Sequence, residues 1–192
     1  MAALDVKVRT ALSPSPRQPL ASSKLGLLAD DLAAHPALWR PLVRHDPADR
    51  WYVRLRYTAD FEVWLIGWET GQDTELHDHG GSSGAFAVCE GALTEDWTER
   101  ATALGSSGSL RRRVRPAPSR RVFGPTYVHN LVNRGPGIAT SIHVYSPPLS
   151  SMTYYQRAAD GTLAVKRTLA VAGPDPEITA ATVAAGGGWR SG

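Results

Sequence analysis

Six histidines, His35, His45, His77, His79, His129 and His143, are the residues of this chain best suited to chemistry. Only His77-Asp78-His79 has the spacing of a ligand pair. Alternate residues of an extended strand project to one face, so His77 and His79 can converge on one ion while Asp78 points away. Two exposed strand histidines with no metal are the competing reading of that tripeptide. Other chemistries find less support. Cys89 ends the apolar run Ala85-Phe86-Ala87-Val88-Cys89 and reads as a buried, inert thiol. Ser141 and His143 share a strand, but no glycine-framed nucleophile turn precedes them, which leaves no hydrolase triad.

The elements that must hold these residues are mostly strands. A length of 192 residues suits one domain, and 42% hydrophobic with 20% charged residues is ordinary globular composition. Residues 1–21 carry Pro14, Pro16 and Pro19 without a sustained period and read as a flexible leader. Ser23 is placed to cap a helix through Leu25, Leu28 and Leu32, which Pro36 and Pro41 end. From Trp51 the runs become β-rich. A hairpin is expected from 51–57 and 61–68, followed by strands near 83–89, 92–97, 110–114, 120–123, 127–132 and 138–145. A last hairpin, 152–157 with 162–168, is expected around a two-residue Asp160-Gly161 turn. Gly, Pro and Ser clusters separate these runs at short intervals, as in a barrel or sandwich. The domain is expected over 22–173, with a peripheral tail over 174–192 holding at most a short helix near 177–184.

Charge and compartment narrow the partners. The net charge is +3, and the basic stretch Arg111, Arg112, Arg113, Arg115, Arg120 and Arg121 lacks interleaved aromatics. It reads as a solvated loop and strand face, so no nucleic acid partner is expected. A single cysteine excludes an intramolecular disulfide. No signal-like apolar core opens the chain and no run approaches the roughly 20 residues that span a bilayer, so a cytoplasmic monomer without membrane contact is expected.

The glycine frame around the histidine pair, Gly71, His77, His79, Gly84 and Gly91, resembles the first motif of the cupin superfamily. His129-Asn130-Leu131-Val132-Asn133 resembles the second. The resemblance covers about 51–148 and implies an all-β, jelly-roll-like double-stranded β-helix barrel with short N-terminal helices. It also supplies His129 as the third ligand. Cupins commonly have glutamate where this chain has Gly84. Its loss leaves three neutral imidazoles with open coordination positions, unlike a closed structural zinc site.

Trp68 and the segment Ser141-Ile142-His143-Val144-Tyr145-Ser146-Pro147-Pro148 narrow the resemblance to the cysteine dioxygenase family of thiol dioxygenases. That resemblance implies Fe(2+) at His77, His79 and His129, with a small thiol and O2 as substrates. It also implies a catalytic relay of Ser141, His143 and Tyr145, which strand alternation puts on one face. Mammalian-type members have a cysteine at Gly84 that cross-links to the tyrosine matching Tyr145. No such thioether can form here, and bacterial members commonly share the glycine.

The first hairpin is shorter than in the family, and preserving the cross-strand pairs nearest the core aligns Tyr52-Val53-Arg54 with the family's Tyr-x-Arg. Arg54 is thus the expected carboxylate-binding residue with Tyr52 assisting, and Arg56 is the reserve. Arginine here tilts the substrate from 3-mercaptopropionate towards L-cysteine, oxidised to cysteine sulfinic acid. A small-molecule-binding cupin without catalysis, and a zinc- or nickel-dependent isomerase-type cupin, are the competing classes.

Overall fold

A computed structural model of the chain describes residues 19–99 and 110–171. The leader up to residue 18 and the helix expected near 177–184 lie outside the described residues. A helix, α1 (Ser22–Ala34), and a 3-10 turn (Pro36–Leu38) precede the strands. These are β1 (Tyr52–Tyr57), β2 (Glu62–Trp68), β3 (Leu76–His77), β4 (Ser83–Glu90), β5 (Ala92–Glu99) and β6 (Arg111–Pro116). β7 (Ser119–Phe123), β8 (Tyr127–Val132), β9 (Ala139–Ser146), β10 (Ser151–Arg157) and β11 (Leu163–Ala170) follow. They form two antiparallel sheets, ordered β1-β2-β9-β4-β7 and β11-β10-β3-β8-β5-β6. The all-β double-stranded β-helix expected from the sequence is therefore present.

Strand alternation divides the apolar residues into two layers. Val63, Leu65, Ala85, Ala87, Ile142 and Val144 leave the first sheet on its outer side and meet Leu25, Ala29 and Leu32 of α1. Each such side chain contributes about 1.5–3 kcal/mol when fully buried, so the amphipathic face of α1 suffices to hold it on the sheet. The opposite phase of the same strands carries Trp68, Phe86, Val88 and Tyr145 inward, where they meet Leu93, Tyr127 and Leu131 of the second sheet. Gly91 makes the β4–β5 turn at φ +67°, and a Cβ there would come within 2.3 Å of the Ile138 carbonyl oxygen. Only glycine satisfies both constraints.

Several local expectations are corrected. Ala21, not Ser23, occupies the N-cap of α1, and no side chain caps it. The last hairpin closes through residues 158–162 and not through a two-residue turn. There Asp160 Oδ1 accepts from the backbone N–H and the hydroxyl of Thr162, at 2.9 and 2.6 Å, and so favours a longer local turn. The basic stretch is not uniformly solvated. Arg115 is buried against Glu95, while Arg112 pairs with Asp96 at 2.6 Å and Arg120 with Asp30.

Candidate metal centre

β3 is two residues long and lies between two neighbours. His77 pairs in register with His129 of β8 on one side and with Tyr154 of β10 on the other. His79 follows just beyond the strand. The three imidazoles form a near-equilateral group with ring centroids 4.9, 4.9 and 5.0 Å apart. One ligand nitrogen from each lies within 4.8 Å of the others. Asp78 does point away. Its carboxylate accepts from the Tyr155 hydroxyl at 2.7 Å and from the backbone N–H groups of Gly80 and Thr153. These bonds tie the ligand-bearing segment to β10.

The hydrogen bonds around the cluster select which nitrogens remain available. His77 Nδ1 bonds the Glu75 carbonyl at 3.0 Å, which assigns its hydrogen to Nδ1 and leaves Nε2 as a donor of electrons. His129 Nδ1 bonds Glu95 Oε1 at 3.1 Å, and its Nε2 has no partner. Neither ring nitrogen of His79 has a partner. Buried, unsatisfied polar atoms cost about 1–3 kcal/mol each, and converging orphans of this kind fit a metal ion. Burial, reinforced by the neighbouring His129, lowers His77 to about 3. Burial and then His77 and His129 hold His79 well below its ordinary value. His77 and His79 are therefore neutral and in their metal-binding form at neutral pH.

Behind His129 stands a buried polar network. Glu95 accepts from the Tyr127 hydroxyl at 2.8 Å and pairs with Arg115, and it is fully buried. Burial acts to raise its pKa, but the His129 hydrogen bond and charge, Arg115 and Tyr127 outweigh it and keep the carboxyl ionised. A carboxylate on the far nitrogen of a ligand histidine fixes its ring and tautomer.

Gly84 explains why no fourth side chain joins the group. It pairs with Tyr145 on β9 and Phe123 on β7. A Cβ on it would lie 2.4 Å from Phe123 Cζ and 3.0 Å from Tyr145 Cδ1. The Phe123 ring, stacked on His79 with centroids 4.7 Å apart, fills the space a longer residue would need.

The inward face of β9 carries a hydrogen-bonded chain. Trp68 Nε1 donates to Ser141 Oγ at 2.9 Å, Ser141 Oγ meets His143 Nε2 at 2.9 Å, and His143 Nδ1 meets the Tyr145 hydroxyl at 3.2 Å. Indole can only donate. Satisfying the fully buried Ser141 hydrogen then makes Nε2 of His143 the acceptor and Nδ1 the donor. In that polarity the Tyr145 oxygen accepts, and its own hydrogen is free for the cavity. The Tyr145 ring lies 5.1 Å from that of His79. Burial first, then Glu62, raises Tyr145 above its ordinary value, so it stays a phenol.

The first hairpin puts Tyr52 and Arg54 on the interior phase, since Val53 and Leu55 pack in the outer layer. Arg54 pairs in register with Trp64, and Trp64 with His143. Its guanidinium lies 4.4 Å from the Trp64 ring and 3.4 Å from Glu62, which is fully buried. Tyr52 is more exposed and meets Trp64 edge-on. A bulge after Arg54 turns Arg56 to the other side, over Phe61 of the outer layer.

The likeness to known proteins agrees with this geometry. A family model described as cysteine dioxygenase type I matches residues 22–158. The chain belongs to the cysteine dioxygenase family. Cysteine dioxygenase type 1 of Danio rerio is 24% identical over 155 residues, covering 73% of each chain. Among solved structures, a protein from Thermus thermophilus aligns at 16% identity and TM-score 0.48, covering 57% of this chain and 93% of its own. A cupin superfamily protein from Desulfitobacterium hafniense aligns at 7% and 0.46, covering 56% and 86%.

Within this cysteine dioxygenase family chain, the structure brings His77, His79 and His129 together and sets Ser141, His143 and Tyr145 in one chain beside them. Sequence reading missed Glu95, Arg115, Tyr127 and Phe123. Glu95 had one available signal: it shares the inward phase of β5 with Leu93 and Trp97, where a carboxylate must have partners. Among the described residues, no helix is long and apolar enough to cross a membrane.

Proposed function

We propose that this chain is an iron(II)-dependent thiol dioxygenase that converts L-cysteine and O2 to cysteine sulfinic acid, with both oxygen atoms ending on sulfur. The observation that carries the reading is the buried three-histidine cluster beside the free Tyr145 hydroxyl, in a chain of the cysteine dioxygenase family. Iron held by His77, His79 and His129 would supply acidity towards the thiol and redox contact between sulfur and dioxygen.

The chain's own residues do the placing. Arg54, assisted by Tyr52, meets the substrate carboxylate. Tyr145 presents its hydroxyl hydrogen to the reacting atoms, and His143 holds the phenol oxygen in place while Ser141 and Trp68 hold His143. Phe86, Phe123 and Tyr127 keep water from the inner side of the site. With glycine at position 84, Tyr145 works without a thioether.

The proposal is tested by incubating the iron-loaded protein with cysteine in air and weighing the product. A gain of two oxygen atoms is expected, and its loss in His77→Ala ties it to the metal cluster. A wild-type protein that binds iron but consumes no oxygen with any small thiol would overturn the reading.

A further inference from the structure

The interior phase of β1 continues one step before the strand begins. Tyr52 pairs with Ile66 across β1 and β2, which places Arg50 beside Trp68. Its guanidinium lies 5.3 Å from the Trp68 ring, the same indole that starts the Ser141-His143-Tyr145 chain. One terminal nitrogen donates to the Asp73 carbonyl, in the segment leading into β3 and His77. Arg50 thus bridges the edge of the first sheet to the ligand-bearing segment of the second.

Among the described residues, no carboxylate is in ion-pair contact with Arg50. Its Nε is buried and has no hydrogen-bond partner, and its polar contact among the described residues is a neutral carbonyl. Arg54 differs, because the buried carboxylate of Glu62 lies 3.4 Å from its Nε. At Arg54 the Glu62 carboxylate offsets part of the charge a substrate carboxylate meets and leaves mainly hydrogen bonding, whereas the same anion near Arg50 meets a charge held in no ion pair. The field of Arg50 also reaches the metal end. After burial and other charges, it acts to lower His77 and His143 and to oppose the rise of Tyr145, while Tyr154, Tyr52 and the Asp73 carboxylate act to stabilise its positive form. His77 and Tyr154 adjoin, with ring centroids 5.9 Å apart.

We propose that Arg50 is a specificity residue, supplying from beside Trp68 a positive charge held in no ion pair, which selects a thiol bearing a carboxylate. The inference rests on the thiol dioxygenase reading and adds to it the residue that distinguishes cysteine from a carboxylate-free aminothiol such as cysteamine. Arg54, balanced by Glu62, contributes hydrogen bonds more than charge.

Anaerobic calorimetry on the iron-loaded protein tests this, with cysteine and cysteamine as paired ligands and Arg50→Lys, Arg50→Gln and Arg54→Gln as variants. Arg50→Gln is expected to weaken cysteine at least tenfold relative to cysteamine, equivalent to about 1.4 kcal/mol. Arg50→Lys, which keeps the charge, should restore part of that ratio, and Arg54→Gln should change it less. An unchanged ratio in Arg50→Gln, or equal losses for both ligands, overturns the proposal. Oxygen uptake is measured separately. Wild type that binds cysteine in preference to cysteamine but consumes no oxygen defeats the dioxygenase reading and leaves Arg50 standing; wild type that binds neither defeats both.

Discussion

Replacing Gly84 by alanine adds a single methyl group at the most crowded point of the site. That carbon would lie 2.4 Å from Phe123 Cζ, 2.7 Å from Cε2 and 3.0 Å from Tyr145 Cδ1. Carbon atoms rest at about 3.5–4.0 Å, so the Phe123 ring must move by about 1 Å. It has little room to do so. It is stacked on His79 at 4.7 Å and on Tyr127 at 5.0 Å, and it is only 4% exposed. Overpacking of this kind costs about 1–3 kcal/mol, and each kcal/mol lowers the melting temperature of a domain this size by roughly 2–4 °C. The expected fall is therefore about 2–12 °C by calorimetry. Displacement of His79 should also weaken iron binding in chelator competition. Adding Phe123→Leu removes the clash, so the double variant should be more stable than the sum of the two single effects predicts. A Gly84→Ala protein that melts within 1 °C of wild type and holds iron equally well would refute the packing argument.

Glu95→Gln removes the anion that faces both Arg115 and His129. The buried arginine left unpaired should cost about 3–5 kcal/mol in denaturant unfolding, and iron affinity should fall about 10–100-fold. Tyr145→Phe keeps the ring and loses the hydroxyl that ends the β9 chain; iron content should be unchanged while kcat for thiol-dependent oxygen uptake falls at least tenfold. The metal-free protein should lose stability as the pH falls. His77 is lowered from 6.5 to about 3, so below pH 6.5 the unfolded chain binds a proton that the folded one refuses. Its contribution is complete above 6.5 and declines towards pH 3 by at most about 1.4 kcal/mol per pH unit. Denaturation of the metal-free protein at a series of pH values checks this, and a flat profile between 6.5 and 4 would contradict it.

The histidine pair was legible because its geometry is local: alternation along one segment suffices to bring two rings together. His129 became visible only through the resemblance of its motif, since its register with His77 arises from the pairing of two distant strands. The Glu95 network was hidden for the same reason. Its partners Tyr127, His129 and Arg115 come from β8 and β6, and nothing near Glu95 in the chain announces them. Arg115 was grouped with its exposed neighbours by composition, although its register opposite Leu93 of β5 turns it inward. The preference for Arg54 over Arg56 rests on preserving the cross-strand pairs nearest the core of a shortened hairpin. The bulge that sends the two arginines to opposite faces depends on the detailed pairing of β1 with β2. The start of α1 was misread because Ser23 is a good cap by type, while the backbone N–H groups of Lys24 and Leu25 bond the carbonyl of Ala21.

All eight residues of β9 are buried, with Ile142 and Val144 packed towards α1 and Ser141, His143 and Tyr145 on the opposite face, towards the histidine cluster. The strand is a party wall: whatever leans on one side displaces the other. Ile142 and Val144 rest against Leu25, Ala29 and Leu32, and their immediate neighbours are His143 and Tyr145. Shortening a leucine on α1 leaves slack behind the wall and lets the phenol drift from its place. Inactivating substitutions should therefore accumulate on a helix that supplies no ligand and touches no substrate, and a map of them would trace the outline of β9 from behind.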